Sequence, residues 1–335
     1  MRKQLRLSNE NLPDYLVQLG LFRPGQDIHV EAAGDGNINW VRRAFVPGEA
    51  SYIVKQARPA LEKFPEYEVT TERLIFEARY LERVRPVDDD HVCPEVVRFD
   101  PDERVLVLED LRDATRLDAA LRDGRDVTNA METLTRFLAR VHTATADDPG
   151  LAAAFENDAM RRLHGDHIFV LPYEEAFPAP PATAKRAAEL RADQELVAIA
   201  RTAYDAYLRP EGPLVHADVQ ASNILLDPSG PKLLDAEISH AGDPAFDLGT
   251  LLAHLAMPAA ARGEADAAMP LLQAASSAYR NERGADASPP NEDVMRYAGL
   301  ELIRRTIGAA RVSCVEEDEA GLEVLALGTE WARGR

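Results

Sequence analysis

Cysteine is scarce in this chain: Cys93 and Cys314 are the two among 335 residues. Two thiols so far apart build neither a disulfide framework nor a structural zinc site, so the core must hold the fold. Long apolar runs are also missing. No stretch approaches the ~20 residues of a membrane helix, and the N-terminal MRKQLRLSNENLPDY lacks the apolar segment of a secretory leader. These absences predict a cytoplasmic chain with no membrane partner. Basic charge is short as well, 38 Lys and Arg against 57 Asp and Glu, for a net charge of −19. DNA or RNA needs a basic face to neutralise its phosphates, so nucleic acid is excluded as the main partner. A single nucleotide is not excluded, because one metal ion and one lysine can neutralise a triphosphate. No internal repeat is visible.

What remains is the composition of a folded protein: 46% hydrophobic and 28% charged residues. The length suits two lobes. Residues 9–22 read as an opening helix. Two alternating stretches around Gly34-Asp35-Gly36-Asn37 read as a hairpin, and SYIVKQ (51–56) as a further strand ending in Lys55 and Gln56. A helix capped near Thr70 or Thr71 follows, then the strand pair VCPEVVRFD and ERVLVLEDL. From about 115 the pattern turns helical: 126–145, 185–208, and almost everything after Asp247, with a break at 283–290. The Pro/Ala-rich 174–184 reads as a loop. The expected fold is α+β, a β-rich lobe over 1–111 joined near Glu109-Asp110-Leu111 to a mostly helical lobe over 112–335.

The stretch Leu214–Gly249 is the richest in chemistry. It sets Asp218, Asp227, Asp235, Glu237, Asp243 and Asp247 among short apolar runs that read as strands. Any one of these acids reads equally well as a turn or cap residue. Together they have the form of a phosphoryl-transfer site. Asp218 and Asn223 stand as D-x-x-x-x-N, the spacing of a kinase catalytic loop. Asp235 follows a short strand, and Glu237, two residues on in extended backbone, reaches the same magnesium, which favours oxygen ligands. Asp243-Pro244 reads as a helix start, Asp at N-cap and Pro at N1. Asp247 is expected to hold the backbone of the 216–218 loop, and His216 to orient it. His142 and His254 lie in apolar helical runs and read as satisfied core histidines.

The first lobe supplies the other parts. Gly34, Gly36 and Asn37 at a hairpin can lay backbone N–H groups over phosphates, though alone this is a weak match. Lys55 closes a buried-type strand. On the helix at 70–84, Leu74, Ala78, Leu81 and Val84 share an arc into which Glu77 falls, whereas Glu72 and Glu82 do not. A glutamate on an apolar face must be paired, and Lys55 is the predicted partner.

These residues resemble the protein-kinase-like fold in its small-molecule branch, the aminoglycoside phosphotransferase family. VHADVQASNILLD is similar to that family's H-G-D-x-x-x-x-N-x-L loop, and DAEISHAGDPAFDLG to its metal-binding stretch. Within the branch the likeness is greatest to the methylthioribose kinases: the Asp235-Ala236-Glu237 triplet, IVKQARP, LEDL, HIFVLPY and LIRRTIGAARV all resemble segments of those enzymes. The resemblance runs from about residue 8 to 315. It implies ATP held between the lobes, with adenine on the main chain of Glu109 and Leu111 and phosphates on Gly34, Gly36, Asn37 and Lys55. It also implies Mg2+ on Asp235, Glu237 and Asn223, Asp218 as the catalytic residue, Arg304 and Arg305 at the acceptor, and a homodimer. The expected partner is a small-molecule hydroxyl substrate, a 5-modified ribose or alternatively an aminoglycoside. A nucleotide-binding pseudokinase module is the alternative from another class. Three departures stand out: Asn223 replaces the serine common in methylthioribose kinases, no tryptophan follows the hinge, and Ala217 occupies the loop's glycine position. An alanine fits there only if its φ is negative.

Overall fold

The computed structural model describes residues 4–34, 38–60 and 68–334. Gly36 and Asn37 lie outside the described residues. The chain forms two compact units: Met1–Arg83 with Cys93–Asp113, and Val84–Val92 with Ala114–Arg335. The short return of Val84–Val92 to the second unit differs from the expected single break near 111. Its cause is a set of polar bonds: Arg140 reaches Val87 O (3.0 Å) and Asp90 (2.6 Å), Lys232 donates to His91 O (2.6 Å), and Leu233 N donates to Val92 O (2.7 Å).

In the first unit, helix α1 (Leu12–Gln18) precedes strands β1 (His29–Ala32), β2 (Trp40–Phe45) and β3 (Ser51–Gln56). Helix α2 (Arg73–Val84) and strands β4 (Val96–Asp100) and β5 (Val105–Glu109) complete it. The strands make one antiparallel sheet in the order β1-β2-β3-β5-β4. Successive residues of a strand point to opposite faces. Val54 of β3 therefore packs with Leu12, Leu16, Trp40, Val105 and Val107, while Lys55 turns to the other face. On α2, Leu74, Ala78, Leu81 and Val84 are buried and Glu77 is buried among them.

The second unit opens with β6 (Thr115–Arg116), α3 (Leu117–Arg122), α4 (Thr128–Thr145), α5 (Leu151–Ala154) and α6 (Asp158–Gly165). A π-helical turn at Asp166–Val170 leads to α7 (Leu171–Glu174), then α8 (Pro181–Ala192) and α9 (Gln194–Tyr207). The expected loop at 174–184 therefore ends early, because Pro181 starts a helix, where a missing N–H costs nothing. Asp193 caps α9 by accepting from Leu196 N. Strands β7 (Leu214–Val215), β8 (Ile224–Asp227), β9 (Gly230–Leu233) and β10 (His240–Ala241) follow, paired as β10-β7 and β6-β8-β9.

Four helices end the chain: α10 (Pro244–Ala260), α11 (Ala265–Arg283), α12 (Asn291–Ile307) and α13 (Asp318–Ala332). Helix α10 is apolar and buried almost all round, the pattern of a central helix. Two glycines let these helices approach closely. A Cβ on Gly249 would lie 2.6 Å from Val294 O, and one on Gly299 would lie 2.3 Å from Ala332 N. That contact fixes α12, which carries Arg304 and Arg305.

Candidate active site

The loop after β7 is built by α10. Asp243 is the N-cap of that helix, its side chain accepting from Ala245 N, and Pro244 follows at the first helical position. One turn in, the fully buried Asp247 accepts from His216 N and Ala217 N, both at 2.8 Å. His142 Nε2 lies 3.1 Å from the same carboxylate, and its Nδ1 lies 2.7 Å from Tyr279 Oη. Burial works to raise the Asp247 pKa, but the His142 bond and the loop's donors outweigh it, and the net shift is downward. A buried carboxylate thus clamps two consecutive amides of the loop.

Just after the second of those amides the backbone is strained. Ala217 has φ +66°, left-handed, against the expectation of a negative value. That rotation lies just past the second clamped amide, so it does not aim the N–H groups but turns the chain on toward Asp218, in a conformation that glycine adopts freely. Asp235 is also left-handed, φ +65°, and Ala236–Ile238 form a 3-10 turn. Glu237 therefore does not follow Asp235 in extended backbone, as expected, but sits on a tight turn, itself buried, with its carbonyl accepting from Asn157 Nδ2 at 2.9 Å.

Asp218 is the partly open acid at the end of the loop. Its Oδ2 accepts from Gln220 Nε2 (3.0 Å) and Asn223 Nδ2 (2.7 Å), while Oδ1 accepts no hydrogen bond among the described residues. Burial raises its pKa against the lowering fields of Arg305 and Arg304, which moves it toward the range of a useful base. Asn223, in the 3-10 turn before β8, also donates to Asp218 O, 3.1 Å away.

From Gln220 the network runs into α12. Gln220 Oε1 accepts from Arg305 Nη2 (2.6 Å), and Arg305 Nε donates to Glu301 (2.6 Å). Arg304 Nη1 reaches both oxygens of Glu301 (3.0 and 3.1 Å), and His254 Nε2 lies 3.2 Å from it. Glu301 is a wholly buried acid with two guanidinium partners. Burial raises its pKa, but Arg304 and Arg305 outweigh that and hold it well below the ordinary glutamate value. The two arginines differ. Arg305 spends its donors on Glu301, Gln220 and, at 3.5 Å, Ala310 O. Arg304 leaves Nε with no partner among the described residues.

In the first unit, Lys55 Nζ lies 2.6 Å from Glu77 Oε1, with side chains only 7% and 1% exposed. Gly34 has φ +69°, and a Cβ there would meet nothing within 4 Å. Glu109 ends β5, donating its N–H to Glu95 O (3.1 Å) and accepting from Glu95 N (2.9 Å), and Leu111 lies just beyond. The described residues include no cluster of three or more His, Cys, Asp or Glu poised for a metal. Asp235, Glu237 and Asn223 offer hard oxygen donors of the kind that suits magnesium, which commonly takes one or two carboxylates and fills its shell with phosphate oxygens and water.

Gln220, Glu301 and His164 were not anticipated from sequence. Glu301 had a legible signal, standing three and four residues before Arg304 and Arg305 on one helix. Gln220 and His164 had none.

A catalytic-loop acid and amide, an acid after a short strand, and a buried lysine–glutamate pair on a five-stranded sheet define a phosphotransferase of protein-kinase-like fold. The chain belongs to the phosphotransferase enzyme family, whose pattern matches residues 29–284, and it acts on an alcohol group as acceptor. A methylthioribose kinase of Bacillus cereus is 28% identical over 335 aligned residues, covering 90% of this chain and 84% of that protein. A second B. cereus methylthioribose kinase is also 28% identical and covers 94% and 90%. Among solved structures, a choline kinase from Streptococcus pneumoniae superposes with a TM-score of 0.57 at 17% identity, over 97% of this chain and 99% of that one. An aminoglycoside phosphotransferase from Alicyclobacillus acidocaldarius gives 0.52 at 16% identity, over 99% and 95%. These distant structures share the fold. No helix among the described residues is long and apolar enough to cross a membrane.

Proposed function

We propose that the chain transfers the γ-phosphoryl group of ATP to a hydroxyl of a 5-modified ribose, methylthioribose or a close analogue such as 5-deoxyribose, at O1. The observation that carries this reading is the charge facing Asp218, where Arg304 and Arg305 together exceed Glu301 by one positive charge. A neutral sugar meets no penalty there. A polycationic aminoglycoside would meet two guanidinium groups, so that alternative fits less well. The identity to methylthioribose kinases across nine-tenths of the chain supports the same choice.

Asp218 Oδ1 accepts the proton of the acceptor hydroxyl. The hydroxyl oxygen forms its bond to the γ-phosphorus as the bond from that phosphorus to the β–γ bridging oxygen breaks, and ADP leaves with the electron pair. Lys55, fixed by Glu77, supplies charge to the α- and β-phosphates, and backbone N–H groups of Gly34, Gly36 and Asn37 would cover them. Adenine rests on the main chain of Glu109 and Leu111. Asp235 and Glu237, with Asn223, would hold magnesium, which supplies charge neutralisation on the phosphates when bound. Arg304 offers its unpartnered Nε–H to the acceptor, and Arg305 holds Gln220 against Asp218. Intact Lys55, Glu77, Asp218 and Asp235 speak against a pseudokinase. Positioning and electrostatics supply most of the rate in such a reaction.

The test is phosphorus NMR on Mg-ATP with 5-methylthioribose, 5-deoxyribose, ribose, choline and kanamycin. Transfer to the 5-modified riboses is expected, with Asp218→Asn slower by about 10²–10⁴-fold. Transfer to kanamycin alone would reject the sugar assignment, and no transfer to any acceptor would reject the kinase.

A further inference from the structure

His164 takes no part in the reaction scheme above, yet it stands beside the reacting carboxylate. It ends α6, and its Nε2 lies 3.8 Å from Asp218 Oδ1, the oxygen that accepts no hydrogen bond. The side chain is 7% exposed and Nε2 has no partner among the described residues. The ring is held on several sides. Phe246 meets it edge-on at 6.0 Å (88°), Tyr207 at 6.4 Å, and Tyr207 Oη lies 3.4 Å from Nδ1. Gly165 allows that approach, since a Cβ there would fall 2.5 Å from the Tyr204 ring and 3.0 Å from the Tyr207 ring. The following π-helical turn at Asp166–Val170 is a rare local form that often accompanies functional sites.

The charge of the ring follows from these neighbours. Burial first, and then the field of Arg304, hold the His164 pKa well below 6.5, so the ring is neutral and no ion pair with Asp218 forms. The Tyr207 hydroxyl keeps its proton, its own pKa being raised by burial, and can donate it to Nδ1 in the tautomer that carries its hydrogen on Nε2, the form the proposal below requires. Nε2 then carries the hydrogen and is a buried donor without an acceptor. An orphaned donor in a packed site costs free energy unless something fills it. The gap is too long for a direct bond to Asp218, but one oxygen at about 2.8 Å from each atom spans it.

We propose that His164 is a substrate-binding residue whose Nε2–H donates to the acceptor hydroxyl while that hydroxyl donates to Asp218 Oδ1. The inference rests on the small-molecule kinase reading. It fixes the acceptor oxygen by a lone pair as well as by its proton, leaving a second lone pair for phosphorus. It also selects against an ammonium group at that point, which has no lone pair to offer.

The experiment compares wild type, His164→Leu and His164→Gln with 5-methylthioribose and Mg-ATP. The leucine variant is expected to raise the acceptor KM at least tenfold with the ATP KM unchanged. Glutamine, whose Nε2 can stand where the imidazole Nε2 stands, should recover most of the loss. Nitrogen NMR of the wild type should show a neutral His164 with Nε2 protonated, its signal moving when the sugar is added without nucleotide. An unchanged acceptor KM in His164→Leu, or an ATP KM that rises in parallel, overturns the proposal while leaving the kinase standing. A wild type that phosphorylates no acceptor defeats both.

Discussion

Glu77 of the first unit and Glu301 of the second are buried acids that hold cations on different scales. In the first, Glu77 faces the flexible ammonium of Lys55 across 2.6 Å. In the second, Glu301 takes Arg304, Arg305 and His254, and through Arg305 and Gln220 the network reaches Asp218. A buried charge pair is a weak net stabiliser, but removing one partner strands the other at high cost. Glu301 pairs directly with two guanidinium groups, whereas the Lys55 stem can bend toward water. The acid of the second unit is thus expected to matter more for folding, and that of the first more for the nucleotide.

Replacing each acid is the strongest way to break this contrast. Glu301→Ala is expected to lose about 3–5 kcal/mol of stability in urea unfolding, the cost of opening a buried pair. Glu77→Gln should lose about 1.5–3 kcal/mol, the scale of one charged hydrogen bond, and raise the ATP KM while sparing the acceptor KM. Equal stability losses in the two variants, or an acceptor KM that rises in Glu77→Gln, would erase the distinction.

Acid pH sharpens it further. The folded-state pKa of Glu301 lies well below the ordinary value of 4.5, so the unfolded chain takes up that proton first as pH falls. Its contribution is fully present above about 4.5 and is lost as pH drops through the folded-state value. His254 adds in the same direction, since burial holds its pKa below 6.5 and the unfolded state binds that proton first too. The gap in melting temperature between wild type and Glu301→Gln should therefore narrow from pH 7 to pH 3. A constant gap across that range means the carboxylate charge is not what stabilises α12.

How far the sequence could be read follows from the same contrast. Glu77 was legible because a lone acid on an apolar helical arc has few explanations, and Asp218 with Asn223 because their spacing is dictated by chemistry. The succession of strands and helix in the first lobe and the Asp243–Pro244 helix start followed from local periodicity and capping. What escaped depended on long-range packing. His164 gains its meaning from Tyr207 and Phe246, and Val84–Val92 leaves the first unit because of Arg140 and Lys232. Glu237 was read as extended because the left-handed turn at Asp235 leaves no trace in the side chains around it.

Ala217 is the smallest and most local of these differences, and it isolates the cost of the left-handed step that follows the clamp. An alanine in the left-handed region is less stable than glycine by about 1–2 kcal/mol. Glycine gives back about 0.4–1 kcal/mol through its freer unfolded chain. Ala217→Gly should therefore stabilise the protein by between about 0 and 1.6 kcal/mol, with kcat and both KM values unchanged, because Asp247 still receives the amides of His216 and residue 217. A urea midpoint that falls by an equivalent amount would mean the Ala217 methyl, fully buried, contributes packing that outweighs its backbone strain. The sign of that one shift separates a left-handed step that is a net cost to the loop from one whose strain is offset by the core.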